Sequence, residues 1–367
     1  MTVRVPIAEQ RNASYDIRIG RGLLAELPEL VQAACAAARY AVITDSQVGK
    51  LYGEQVVARL RGGTLAAELF EFPAGEGNKT RETWASLSDR MLARQFGRDC
   101  AVIALGGGVV GDVAGFVAAT YLRGVPYVQV PTSLLAMIDS AIGGKTGVDV
   151  PAGKNLLGAF HQPRLVVADL DVLASLPAAQ LAAAMAEAVK HGVIADAAYF
   201  GFLEGAHRAV LAREAGVLER VVCRSVEIKV DVVAADEREA GRRATLNFGH
   251  TVGHAIEATS KFTVLHGAAV AIGMAYEARL AEALEIAERG TGDRIRGALE
   301  RYGLPLELPD PSAVHDLLAA MRVDKKARAG TVRFALPRAI GSMHGGAATG
   351  WTVAAPEDTV RRVLTGF

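Results

Sequence analysis

Residues 101–121 constrain the chain more than any other stretch. The apolar run AVIAL ends at Gly106, Gly107 and Gly108, Gly111 follows, and a helical pattern runs from Asp112 through Tyr121. Read as strand, glycine turn and helix, this satisfies G-x-G-x-x-G, the spacing of a dinucleotide cradle. Glycine lets the backbone approach a pyrophosphate, and the unbonded N–H groups of the helix start face the anion. A tight turn with no ligand fits the same spacing. Two features depart from the usual fingerprint. The glycines do not follow the first strand, and no acid closes a second strand about twenty residues on, where a ribose partner belongs. A ribose must therefore be held from elsewhere in the sheet. Asp45 ends the buried run 40–44 and is the upstream candidate, with an N-cap for a helix from Ser46 as the alternative.

A chain of 367 residues exceeds one ordinary core, so two domains are expected. Residues 1–20 alternate as two strands, VRVPI and YDIRIG, which are expected to pair. Strands at 40–44, 68–72, 101–105, 126–131 and 164–170 alternate with helices at 23–39, 46–61, 80–96 and 112–121. That is the βαβ pattern of a mostly parallel, Rossmann-like sheet. From Pro177 the pattern changes. Helices are expected at 178–195, 197–213, 214–235, 246–260, 266–288, 290–302 and 311–322, then a strand at 332–336 and a last helix at 356–364. The boundary predicts an α/β domain over 1–176 and a mainly α-helical domain over 177–367.

Forty basic residues balance forty acidic ones, which argues against a nucleic-acid or membrane-surface partner. Cys35, Cys100 and Cys223 are odd in number and far apart, as in reduced thiols of a cytoplasmic protein. The opening MTVRVPIAEQRNASYDI has no apolar leader core, and no uncharged apolar run reaches eighteen residues. The expectation is a soluble, cytoplasmic protein.

Polar residues then cluster. Glu76 and Lys79 sit in the loop PAGEGNK after a strand, where α/β folds place ligand contacts. Asp139, Lys145, Lys154 and Asn155 lie among glycines, and their two ammonium groups suggest a second anion, a small acidic or phosphorylated substrate. In the helical half, His250 and His254 are four apart, on one helix face. His266 opens the next helix, and Glu187, Lys190 and His191 fall within about one turn of another. Two histidines and one glutamate would satisfy a catalytic zinc site, and spacing leaves open which two of the three histidines bind. His161, His207, His315 and His344 read as surface or core residues. Lys229, Arg242, Arg243, Lys325 and Lys326 read by default as solvated charges. A cradle and a Lewis acid together suit oxidation of an alcohol, as in a zinc-dependent polyol dehydrogenase.

The motifs GGGVVGDVAGF, RGVPYVQVPTSLLAMIDSAIGGKTGVD, GKNLLGAFHQP, MAEAVKHG, NFGHTVGHAIE, LHGAAVAIGM and DKK, in that order, resemble the 3-dehydroquinate synthase family. The match spans nearly the whole chain and is densest over 101–275. The wider sugar-phosphate cyclases, among them the valiolone and inosose synthases, share much of the framework, and IDSAIGGK resembles the dehydroquinate synthases proper. The resemblance implies catalytic NAD⁺, a divalent cation (usually zinc, with cobalt possible) and 3-deoxy-D-arabino-heptulosonate 7-phosphate as substrate. It implies Glu187, His250 and His266 as metal ligands, and His254 as a substrate and proton-relay residue. It places Asp139, Lys145, Asn155, Lys190, Lys229, Arg243 and Asn247 on the substrate. Arg123, Lys145 and one of Lys325 and Lys326 would hold its phosphate, and Lys154 would lie between cofactor and substrate. Asp45, Glu76, Lys79, Gly106, Gly107, Gly108, Asp112, Thr132, Lys145 and Ser175 would hold NAD⁺. It implies a homodimer, with Arg123 acting across the interface. Such chemistry exposes reactive intermediates, so the cleft is expected to exclude water and the two domains to close on substrate. The segment 338–355 stays unassigned.

Overall fold

The computed structural model describes residues 13–151, 153–261, 263–323 and 332–366. The first strand expected at the N-terminus, VRVPI, and both Lys325 and Lys326 lie outside the described residues. Strands β1 (Asp16–Gly20), β2 (Arg39–Asp45), β3 (Ala67–Phe72), β4 (Cys100–Gly106) and β5 (Tyr127–Pro131) enter one parallel sheet. The chain then leaves it for an antiparallel hairpin, β6 (Lys145–Val150) and β7 (Gly153–Phe160), and returns as β8 (Leu165–Asp169). The sheet order is β1-β8-β5-β4-β2-β3. β1 therefore pairs with β8 far along the chain. The crossovers are α1 (Leu27–Ala34), the single turn α2 (Ser46–Val48) leading through a π-turn into α3 (Glu54–Gly62), then α4 (Arg81–Ala93) and α5 (Gly108–Thr120).

Both sheet faces are covered, so its strands read as continuous apolar runs rather than alternating ones. Tyr40 and Val42 of β2, with Ala101, Ile103 and Leu105 of β4, pack on one face. Ala41, Ile43, Val102 and Ala104 pack on the other, against Leu87 and Met91 of α4 and Val113 and Val117 of α5. From β2 the chain moves outward to β3, then crosses back to β4 and continues towards β5. The connections thus leave β2 and β4 in opposite directions. The crevice at such a switch point, beyond the carboxyl ends of the strands, is where open α/β sheets bind ligands. Asp45 and Gly106 end those two strands.

Helices follow from residue 178: α6 (Ala178–Ala195), α7 (Ala197–Leu211), α8 (Ala215–Ala235), α9 (His250–Thr259), α10 (His266–Ala283), α11 (Thr291–Arg301) and α12 (Val314–Val323). Short strands β9 (Arg333–Phe334), β10 (Pro337–Ala339), β11 (Ser342–Met343) and β12 (Val353–Ala354) precede α13 (Glu357–Thr365). The apolar cluster under the sheet runs on without a break into α6, through Val172, Leu176, Leu181, Met185 and Val189. A separate cluster joins α9, α10, α12 and α13. No helix among the described residues is long and apolar enough to cross a membrane.

Three sequence expectations are corrected. The helix at 23–39 shrinks to Leu27–Ala34, with Pro28 fitting its first turn. The hairpin 145–160 was not anticipated. Its glycines mark close approach between strands: a Cβ at Gly147 would lie 2.5 Å from the Leu157 carbonyl oxygen. The helix expected from 246 starts at His250, because Arg242–Asn247 form a 3₁₀ turn and Gly249 takes φ 80°.

Candidate active site

A cleft of about 2050 Å³ lies between the carboxyl edge of the sheet and the helices that follow. On the sheet side, α5 starts at the glycine turn. Its N-cap, Gly107, has no side chain to occupy the first N–H groups, so the helix start is left to a ligand. Gly107, Gly108, Asp112 and Thr132 line the cleft. Gly106 does not: its neighbour is Val110, and a Cβ there would fall 2.5 Å from the valine Cβ. Asp45 lines the cleft while its Oδ1 accepts from the N–H groups of Gln47 and Val48, each at 2.8 Å. The capping reading therefore holds, and it engages only Oδ1. Ser175 lines the cleft beside Tyr52, whose hydroxyl donates to Ser175 Oγ at 2.7 Å.

Lysines on this side are already paired. The Lys79 ammonium donates to Asp112 Oδ2 and to Asn155 Oδ1, each at 2.5 Å. Burial alone would lower the Lys79 pKa, but Asp112 and Glu76 outweigh it and the amine is held above its ordinary value. Asn155 sits at φ 53°, a left-handed conformation asparagine tolerates, and its N–H donates to Asp149 Oδ1 at 2.8 Å. Lys154 on β7 bridges the two halves, with Glu76 Oε1 at 2.7 Å and Glu257 Oε1 of α9 at 3.0 Å.

Across the cleft, α6, α9 and α10 bring Glu187, His250 and His266 together, with ligand atoms within 4.8 Å of one another. Glu187 is wholly buried, with Lys190, one turn on, against its Oε2. His250 Nδ1 lies 3.1 Å from the Phe248 carbonyl. A carbonyl only accepts, so Nδ1 carries the proton and the lone pair sits on Nε2, 3.5 Å from Glu187 Oε1. His266 Nε2 is also 3.5 Å from Glu187 Oε1, and its Nδ1 is 3.3 Å from Glu257 Oε2. Burial lowers the His266 pKa, but its contacts with Glu187 and Glu257 prevail and push it up to about 10. Three nitrogen and oxygen donors around a point that calls for positive charge fit a divalent cation. His254, Glu257 and His266 form a second such triad sharing His266. Glu257 is paired with the Lys154 ammonium as Glu187 is with that of Lys190, so charge pairing alone does not separate the two triads.

The substrate-side residues also converge. Lys229 of α8 donates to both the carboxylate and the carbonyl of Asp139. Burial drives its pKa down to about 8, only partly offset by Asp139. Gly143, at φ 95°, leaves room for the Arg243 guanidinium, which donates to the Gly143 carbonyl at 3.0 Å. Lys145 pairs with Glu239, whose Oε1 also accepts from Asn247 Nδ2 at 2.5 Å. Lys145, Lys190, Lys229, Arg243, Asn247 and His254 all line the cleft.

Arg123 does not. It is exposed beyond the C-terminal end of α5, the end away from the glycines. Leu122 at φ 49° and Arg123 at φ 72° are both left-handed, a strained backbone of the kind retained at functional positions. Several cleft residues gave no signal in sequence. Tyr52 lines it from the expected helix 46–61, Arg333 from the expected strand 332–336, and Glu239 and Trp351 from segments left unassigned. Glu277 of α10, wholly buried, accepts from the N–H groups of Gly249, Thr251 and Val252 at 2.7, 2.9 and 3.0 Å, and so fixes the start of α9.

Family models for the 3-dehydroquinate synthase N-terminal and C-terminal regions match residues 69–183 and 184–327. The chain belongs to the 3-dehydroquinate synthase family. It is 49% identical over 347 residues to a 3-dehydroquinate synthase of Caulobacter vibrioides, covering 93% of each chain. It is 51% identical to the Symbiobacterium thermophilum 3-dehydroquinate synthase, covering 88% of this chain and 91% of that one. Among solved structures it resembles a 2-epi-5-epi-valiolone synthase from Streptomyces hygroscopicus with NAD⁺ and Zn²⁺ bound, at TM-score 0.88, 31% identity and 99% coverage of both chains. A 2-deoxy-scyllo-inosose synthase complexed with carbaglucose-6-phosphate, NAD⁺ and Co²⁺ matches at TM-score 0.85 and 27% identity, over 95% of this chain and 96% of that one. A probable glycerol dehydrogenase from Sinorhizobium meliloti, 17% identical at TM-score 0.67, shares the fold alone.

Proposed function

We propose that this chain is a 3-dehydroquinate synthase, a phosphate-eliminating carbon–oxygen lyase of the shikimate pathway, which leads to chorismate and the aromatic amino acids. It converts 3-deoxy-D-arabino-heptulosonate 7-phosphate into 3-dehydroquinate and phosphate by transient oxidation, phosphate elimination, reduction, ring opening and aldol closure. The observation that carries the reading is one cleft holding a dinucleotide cradle, a Glu–His–His triad around a fully buried Glu187, and a set of lysines facing each other. The sheet half, to residue 176, serves NAD⁺, and the helical half from 177 serves cation and substrate.

The chemistry the bound groups supply is a reversible hydride acceptor, from NAD⁺, and a Lewis acid at the C5 alcohol, from a divalent zinc or cobalt. Glu187, His250 and His266 hold the cation. Gly107 and Gly108 offer N–H groups to the pyrophosphate, Asp45 takes a ribose diol, and Glu76, Lys79, Asp112, Thr132, Lys145 and Ser175 complete that half of the cleft, with Lys154 between cofactor and substrate. Asp139, Asn155, Lys190, Lys229, Arg243 and Asn247 orient the sugar acid, and His254 takes the C5 hydroxyl proton. Lys145, Arg123 and one of Lys325 and Lys326 hold the phosphate dianion, which stabilises it as the leaving group. The substrate's own phosphate is the base for the C6 proton. The aldol step needs only a folded conformer held in place.

The test is incubation with heptulosonate phosphate, NAD⁺ and zinc. Equal amounts of dehydroquinate and phosphate are expected, with no net NADH. Absence of turnover would sink the reading, and NADH rising in step with product would point to a polyol dehydrogenase.

The Lys229 amine titrates near pH 8 in the free protein and is charged below that value. An ammonium that holds an anionic substrate is lost as pH rises, so kcat/KM should fall above about pH 8. Lys229→Arg, which stays charged, should move that limb upward by more than one pH unit. A limb that stays put in the variant assigns it to another group.

Arg123 fits a homodimer in which each copy supplies this guanidinium to its partner's phosphate site. Arg123→Ala and Lys190→Ala proteins should each be nearly inactive. Mixed and re-associated one to one, they should recover about a quarter of wild-type activity, because half the dimers would carry one complete site. No recovery in mixed dimers would confine Arg123 to its own chain.

A further inference from the structure

His191 is the buried titratable group that the mechanism leaves unused. It stands four residues after Glu187, on the same face of α6, and is fully buried. Neither ring nitrogen has a hydrogen-bond partner among the described residues. One of them nevertheless lies within 4.8 Å of a carboxylate oxygen of Asp139 and of one of Glu187, and those two oxygens are themselves within 4.8 Å of each other. Burial first, and the neighbouring Lys190 second, lower its pKa to about 3, so the ring is neutral, with one N–H and one lone pair. Buried polar atoms in folded proteins find partners, and three polar atoms at this mutual spacing suit one water touching all of them.

We propose that His191 is a positioning residue that, through a single buried water, ties the Asp139 carboxylate to Glu187 and fixes the rotamer in which Glu187 meets the cation. The chain of contacts then runs from Lys229 through Asp139 and His191 to Glu187, joining the substrate side of the cleft to the metal side. The inference rests on Glu187 as a metal ligand, and the experiment separates the two claims.

Zinc affinity is measured by competition with a chromophoric chelator for the wild type, Glu187→Gln, His191→Leu and His191→Gln, with thermal unfolding of each metal-free protein alongside. Glu187→Gln should lose zinc binding. If it does not, the ligand assignment falls and this proposal with it. His191→Leu should bind zinc about 10- to 100-fold more weakly, the usual range for lost outer-shell partners, while unfolding no earlier than the wild type. His191→Gln, which keeps a donor and an acceptor, should recover most of the affinity. A leucine variant with wild-type zinc affinity, or a glutamine variant no better than leucine, overturns the proposal while leaving Glu187 in place. Should the leucine variant not fold, high-resolution diffraction of the holoenzyme decides: an ordered solvent atom bonded to His191 and both carboxylates supports the inference, and direct contact or empty apolar space refutes it.

Discussion

Glu187→Gln should strip the cleft of its cation and lower turnover by at least about 10³-fold, since it removes the sole anionic donor of the triad and with it the Lewis acid. The change keeps the shape of the side chain, so the loss would report charge rather than packing. It also leaves the Lys190 ammonium, almost wholly buried, without its counter-charge. Removing one partner of a buried pair costs about 3–5 kcal/mol, so the metal-free variant should also unfold at a lower temperature. Metal content by mass spectrometry, kcat and a melting curve check the three parts. A variant that keeps one bound cation and near-normal kcat would remove Glu187 from the metal site.

The second large effect is expected at Glu277, which touches neither cleft nor ligand. Its carboxylate accepts three backbone N–H bonds at the start of α9, next to the positive φ of Gly249 and directly before His250. Bonds of this kind to a charged group contribute about 1.5–3 kcal/mol each, and a helix N-terminus favours an anion. Glu277→Leu should destabilise the protein by about 4 kcal/mol or more and loosen the placement of His250 and His254. Glu277→Gln keeps an acceptor and should fall between. Denaturant unfolding and zinc competition check this. Unchanged stability in the leucine variant would mean that the helix start is satisfied some other way.

The parts of the site legible in sequence are those whose signal is local. The turn at 106–108 and the i, i+4 pair His250 and His254 are each contiguous in sequence, and the structure places Gly107, Gly108 and both histidines at the cleft. Pairings between distant segments were hidden. Glu277 falls inside the expected helix 266–288 and carries no local signal, because the N–H groups it serves belong to α9. Glu239 meets Lys145 and Asn247 only through the turn that Asp236 organises by accepting from Ala240, Gly241 and Arg243. The β6–β7 hairpin was missed for a different reason. Its glycines break the alternation that marks a strand, whereas Gly147 and Gly158 allow two backbones to pass closely. At Gly106, likewise, the missing Cβ makes space for Val110.

Lys79, Lys145, Lys154, Lys190 and Lys229 each meet a carboxylate of the same chain. These five lysine charges are thus matched within the chain and add little pull on anions at a distance. Adventitious phosphates gain nothing from a lone ammonium, because they must displace an internal acid at several points together. A sugar acid of the right shape can exchange all those partners in concert. Discrimination is then written into the exchange itself, and the rate of encounter should respond only weakly to ionic strength.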